Sequence, residues 1–165
     1  MVKIRYIAAA VLLLLAIWAV IQLFPGEEKR VKKQFHLMAK WVSKEHGENT
    51  VAMAYKTKSM ESLFYPKCEV NLPPYSFSGL FTPEELAGYA SQGRLYFDDL
   101  QLRFYDLAVA FRDRGTVEVN FTAKLTGKTK NGELVDETHE LVCLLHKTEK
   151  GWLFGRIEVV EVLKR

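Results

Sequence analysis

Leu134–Val160, "LVDETHELVCLLHKTEKGWLFGRIEVV", places Asp136, Glu137, His139 and Glu140 within five positions and then turns apolar. Carboxylates around a histidine are the material of metal centres and of acid–base catalysts, so the stretch is either a site or the polar end of a structural strand. Strand geometry divides the cluster. Neighbours on an extended chain point to opposite faces, so Asp136, Thr138 and Glu140 share one face while Glu137 and His139 share the other. A zinc site needs three or four converging ligands, and His36, His46 and His146 stand at no spacing that recruits them. The expected reading is a strand end, with no metal-ligating residue assigned. Beyond Glu140 both faces are apolar: Leu141, Cys143 and Leu145 on one, Val142 and Leu144 on the other. One face is expected beneath helices. The other, taken as that of Val142 and Leu144, is expected to pair with a second copy, since contiguous exposed apolar surface marks an interface.

Upstream, the period of two begins at Leu100. "DLAVAF", "TVEVNFTAKLTG", "ELVCLLHK" and "WLFGRIEVVEVL" read as four strands, separated by turns at Arg114-Gly115, Asn131-Gly132 and Lys150-Gly151. Val117, Val119, Phe121, Ala123 and Leu125 alternate against Glu118, Asn120, Thr122 and Lys124. Before the strands, "FTPEELAGYASQG" carries a helix start in which Thr82 caps, Pro83 fills the first helical position and Glu85 closes a capping box. "ENTVAMAYKTKSMESLF" reads as another helix, capped by Asn49 or Thr50. "YPKCEVNLPPYSFSGLF" reads as a short hairpin bent at Pro73-Pro74. "EEKRVKKQFHLMAKWVSKEHG" spaces Val31, Phe35, Met38 and Val42 by four, three and four, an amphipathic helix ended by Gly47.

From Tyr6 to Phe24 every residue is apolar or small except Gln22. Nineteen such positions give a helix of about 28 Å, near the hydrocarbon thickness. No small-x-small cleavage site follows, and the run leaves through "IQLFPGEEKR", so an uncleaved anchor is expected over 1–26 with one domain over 27–165. Lys29, Arg30, Lys32, Lys33 and Lys40 follow the run and, by the positive-inside rule, favour a cytoplasmic domain. The short basic start before an apolar run is how export signals look. Export is the expectation: a single pass in a bacterial inner membrane, with the domain periplasmic.

The chain is 165 residues, 48% hydrophobic and 12% aromatic, which suits one globular domain with a real core. Without Lys3 and Arg5 the charge is close to balanced, which argues against nucleic acid as a partner. Cys68 and Cys143 are too few for a disulfide scaffold and read as two separate buried thiols. Asn120-Phe121-Thr122 fits a glycosylation acceptor but lies mid-strand.

The element order, with "GLFTPEELAGYA" leading into the strands and "KGWLFGRIEVVEV" ending them, resembles the nuclear transport factor 2-like superfamily, including its ketosteroid isomerase and polyketide cyclase-like branches. The likeness spans roughly Glu27 to Leu163. It implies an α+β fold: three helices packed on a curved, cone-like, four-stranded antiparallel sheet, with a short extra hairpin, behind the transmembrane helix. An anchor with such a domain also looks like the membrane-tethered assembly proteins of type IV secretion machines. In isomerase-type members an Asp base and a Tyr-plus-acid oxyanion pair line the cone. Here Tyr75, Tyr89, Tyr96 and Tyr105 could reach a pocket, and Asp98, Asp99 and Asp106 supply carboxylates, but none matches the catalytic positions. No catalytic or cofactor-binding residue is therefore assigned, and no cofactor is expected. The expected function is a non-catalytic, membrane-anchored binding or scaffold domain for a protein or small apolar ligand. The alternative is a small-molecule isomerase or dehydratase using the cone, which a void shared by Asp and Tyr would favour over a cone filled by Phe and Met.

Overall fold

A computed structural model describes residues 2–23 and 26–160 of the chain. Met1, Phe24, Pro25 and residues 161–165 lie outside this set. With them goes the end of the last strand as read from the sequence. The order is α1 (Val2–Leu23), α2 (Glu27–Val42), α3 (Thr50–Glu61), β1 (Phe64–Leu72), a 3-10 turn (Pro73–Tyr75), β2 (Phe77–Phe81), α4 (Pro83–Tyr96), β3 (Phe97–Phe111), β4 (Thr116–Thr129), β5 (Leu134–Thr148) and β6 (Gly151–Val159).

Local chemistry sets the helix starts. The Asn49 side chain accepts from Ala52 N at 2.8 Å to open α3. At α4 both bonds of the capping box form: Thr82 N donates to Glu85 at 2.8 Å and Glu85 N to the Thr82 hydroxyl at 3.3 Å. Glu27 and Glu28 occupy the first turn of α2, where the helix dipole favours acids. Glu27 also accepts from Lys147 Nζ at 3.0 Å and from the Trp152 indole at 2.7 Å, which pins the start of α2 to the β5–β6 turn. The Lys147 hydrogen bond first, and that of Trp152 next, hold its carboxyl below the usual range.

The sheet corrects the expectation of four strands. It has six, in the order β2-β1-β6-β5-β4-β3. The four strands read from alternation are β3 to β6, neighbours in an antiparallel run. The expected separate hairpin is β1–β2, and β1 adds to β6 in parallel, with Glu69 opposite Arg156 and Val70 opposite Ile157. That pairing satisfies backbone groups of β6 that would otherwise form an open edge. It joins segments some ninety residues apart, which no local pattern encodes. β3 also starts before Leu100 and bulges between Tyr105 and Ala108, where Asp106 takes a φ of 55°. Gly132 (φ 88°) and Gly151 (φ 106°) make the next two turns as their sequence signals imply.

The two faces of β5 are now distinguishable. Cys143 and Leu145 are buried with Val31, Phe35, Leu63, Val117, Val119, Phe121, Trp152 and Phe154, so theirs is the concave face under the helices. Val142 and Leu144 lie on the outer face, half-buried, opposite Asn120 and Glu118 on one side and Glu158 and Arg156 on the other. Ion pairs of Arg156 with Glu158, two residues apart on β6, at 3.0 Å and of Arg112 with Glu118 surround them. Both cysteines are free and buried.

Every residue described as buried lies between Val31 and Val159, so the described residues of α1 add nothing to the core. Within α1, Ile7, Leu12 to Leu15, Ile17 and Trp18 are all exposed. Among the described residues no helix is long and apolar enough to cross a membrane, which does not support the expected transmembrane helix.

Candidate active site

Glu137 and His139 point to the concave face, as their parity requires, while Asp136 pairs with Lys124 at 3.4 Å on the outer face. Directly opposite Glu137 stands Leu125, then Leu102; opposite His139 stand Ala123 and Phe104. The two polar groups thus continue the apolar rows of the helix-facing side of the sheet toward the start of β5. A third residue meets them there. Pro73 and Pro74 preset a 3-10 turn, Ser76 follows in the left-handed region at φ 51°, and Tyr75 is directed at β5. Its phenol donates a hydrogen bond to the Glu137 carboxylate and lies 2.6 Å from His139 Nε2. The Tyr75 and His139 rings meet edge to face at 5.5 Å, and His139 Nε2 is 3.6 Å from Glu137 Oε2.

Burial foremost, and next the hydrogen bond and charge of Glu137, push the Tyr75 phenol up to about 12. The group therefore stays a proton donor across the physiological range. Its folded value exceeds the usual tyrosine value of about 10, so its contribution to stability is complete below about pH 10 and is lost as pH rises through 12. Ultraviolet titration of the seven tyrosines is expected to show one late transition near pH 12, absent in Tyr75→Phe.

The remaining candidates are not gathered here. Tyr89 packs on Phe77 at 5.2 Å and Phe81 at 5.7 Å. Tyr96 and Tyr105 are exposed. Asp98 meets His46 at 2.8 Å, and Asp106 forms the β3 bulge. His146 lies against Tyr65. Among the described residues no group of His, Cys, Asp and Glu could hold a metal ion. Burial pushes the Cys68 thiol up to about 12 and raises that of Cys143 as well, so neither is a nucleophile at neutral pH.

Deeper in the cone the packing is aromatic. Phe35 of α2 contacts Phe104 at 5.4 Å, Phe121 at 5.0 Å and Phe154 at 5.1 Å, all edge to face. A cleft of about 300 Å³ between α2 and β3 reaches this cluster past Ala39, Leu102 and Leu107. A second polar assembly, invisible in the sequence, lies where α3 and α4 meet. Arg94 is 1% exposed and bonds the Glu48 carboxylate, whose other oxygen is 2.5 Å from Lys56 Nζ. Burial lowers the Arg94 pKa while Glu48 opposes the shift.

No family model and no curated protein matches the chain. Solved structures do. A candidate scytalone dehydratase from Novosphingobium aromaticivorans aligns over 83% of this chain and 85% of its own, with a TM-score of 0.64 and 13% identity. A nuclear transport factor 2-like superfamily protein from Salmonella enterica aligns over 84% and 92%, with a TM-score of 0.65 and 14% identity. The chain has the nuclear transport factor 2-like fold. LinA, at TM-score 0.63 and 11% identity over 81% of this chain and 84% of its own, shares it. At such identities the likeness carries the fold and nothing finer. Within that fold, Tyr75, Glu137 and His139 come together at the polar end of β5. The sequence placed the last two on one face but offered no signal that joined Tyr75 to them.

Proposed function

We propose that the domain is a small-molecule enzyme of the isomerase or dehydratase type, acting at Tyr75, Glu137 and His139. One observation carries the reading: a protonated phenol bonded to a carboxylate, with an imidazole in contact, on the concave face of the sheet. A tyrosine donor for the oxyanion and a carboxylate base are two of the groups that isomerase-type members use. The names of the solved relatives, a candidate scytalone dehydratase and LinA, lend the enzymatic reading further support. A substrate carbonyl entering the mouth replaces Glu137 as the acceptor of the Tyr75 hydrogen bond. The freed carboxylate takes a proton from the adjacent carbon, and the electron pair of that C–H bond moves to form an enolate whose oxygen Tyr75 stabilises. In dehydration the enolate collapses, the β-carbon–oxygen bond breaks, and the departing hydroxide leaves as water with a proton from His139, which regains one from the newly protonated Glu137 beside it. A panel of enones and β-hydroxy ketones, followed by NMR for α-proton exchange in deuterium oxide, tests this. Exchange above the buffer rate is expected; a folded protein inert across the panel would reject it.

The second reading, a non-catalytic binding or scaffold domain, is favoured by the aromatic cluster around Phe35 that fills the cone. It accommodates a protein partner or small apolar ligand, and self-association through the outer face at Val142 and Leu144. Sedimentation of wild type and Leu144→Lys distinguishes that contact from a monomer.

We also place the domain behind an N-terminal membrane anchor, on the outer side of a bacterial inner membrane. The run from Tyr6 to Phe24, apolar or small except for Gln22, supports the anchor, as does an α1 whose described apolar side chains are exposed all round. A reporter active only outside the cytoplasm, fused after Arg165, is expected to work; activity from a cytoplasmic reporter alone would reverse the orientation.

A further inference from the structure

We infer that the outward face of α2 is a docking surface for an anionic lipid bilayer. Lys29, Lys33, His36 and Lys40 are all exposed and are spaced by four, three and four along the helix. At 100° per residue they fall within a sector of about 60°, along roughly 17 Å of helix. The core residues Val31 and Phe35 lie about 200° away, so the stripe opposes the buried face. Glu27, held by Lys147 and Trp152, fixes the rotation of the helix about its axis and keeps the stripe turned outward.

The charges on the stripe are free to act at a distance. Glu28 is taken by Lys32 at 2.6 Å and Glu27 by Arg30 at 3.3 Å and Lys147 at 3.0 Å. Lys29, Lys33 and Lys40 make no ion pair among the described residues. The occupant follows from continuity. α1 ends at Leu23 and α2 begins at Glu27, and four chain steps span at most about 15 Å. If α1 lies in a bilayer, as the reading above holds, the first turns of α2 stay at headgroup depth. A row of lysines there meets the negative surface of anionic lipids.

The fragment 27–165, which holds every residue described as buried, tests the inference apart from the anchor. Its co-sedimentation with vesicles of phosphatidylglycerol in phosphatidylcholine is expected, and is expected to vanish with pure phosphatidylcholine and with high salt. Lys29→Gln, Lys33→Gln and Lys40→Gln together are expected to weaken partitioning roughly 100-fold, about five-fold per lysine. Lys67→Gln, Lys128→Gln and Lys130→Gln remove the same charge elsewhere and are expected to leave binding nearly intact. No binding by wild type, equal binding to neutral vesicles, or equal loss in the two triple variants would each overturn the inference. Membrane fractionation of the full chain reports on the anchor separately: release by alkaline carbonate would reject the anchor while fragment binding still upheld the lipid surface.

Discussion

Replacing Phe35 with alanine is expected to destabilise the fragment 27–165 by about 3–5 kcal/mol, the range for deleting a buried phenylalanine. Phe35 is 1% exposed and is the hub of the cone, in edge-to-face contact with Phe104, Phe121 and Phe154. Its loss removes apolar burial, favourable ring geometry from three partners, and the link between α2 and both halves of the sheet. The rings around it belong to strands and cannot collapse into the space without moving the sheet. Urea unfolding checks the value, with Phe35→Leu expected to cost far less. A Phe35→Ala loss below 1 kcal/mol would mean that α2 is not the lid of the core.

Replacing Glu48 with alanine is expected to cost a comparable 3–5 kcal/mol, by a different route. The Glu48 carboxylate is 5% exposed and bonds Arg94, which is 1% exposed. Two further Arg94 nitrogens, Nε and Nη1, are buried with no hydrogen-bond partner. Removing Glu48 leaves a charged guanidinium in the interior with almost nothing to offset its lost hydration. The double variant Glu48→Gln with Arg94→Met removes both charges and is expected to recover much of the loss, because the penalty belongs to the unpaired charge rather than to the missing pair. Equal stability of Glu48→Ala and the double variant would contradict this account.

These sites show how the fold divides between what local sequence encodes and what it does not. Phe35 and Val31 were legible because helical spacing repeats every turn. The strand β4 was legible because Val117, Val119 and Phe121 alternate without a break, and α4 because Thr82, Pro83 and Glu85 sit at fixed cap positions. All of these are signals over a few residues. The parallel pairing of β1 with β6, the Arg94–Glu48 bond and the approach of Tyr75 to Glu137 and His139 join residues 46 to about 90 positions apart. Each partner alone looks ordinary: Glu48 sits in a polar loop, and Tyr75 is one of several tyrosines. Reading Glu137 and His139 as a strand end was sound for one strand in isolation. It missed that a turn between two other strands delivers a phenol to the same face.

The claim that Tyr75, Glu137 and His139 form a reactive site, rather than a clasp holding the Pro73–Tyr75 turn to the sheet, is tested most directly by one variant read two ways. Tyr75→Phe keeps the ring and removes the hydroxyl. Its α-proton exchange on the most active carbonyl compound is compared with wild type, alongside its unfolding free energy. A site predicts that exchange falls by about 100-fold or more, while stability changes by no more than about 1 kcal/mol, the worth of one partly exposed hydrogen bond. Unchanged exchange together with a clear loss of stability would contradict the account and leave the cluster as a clasp.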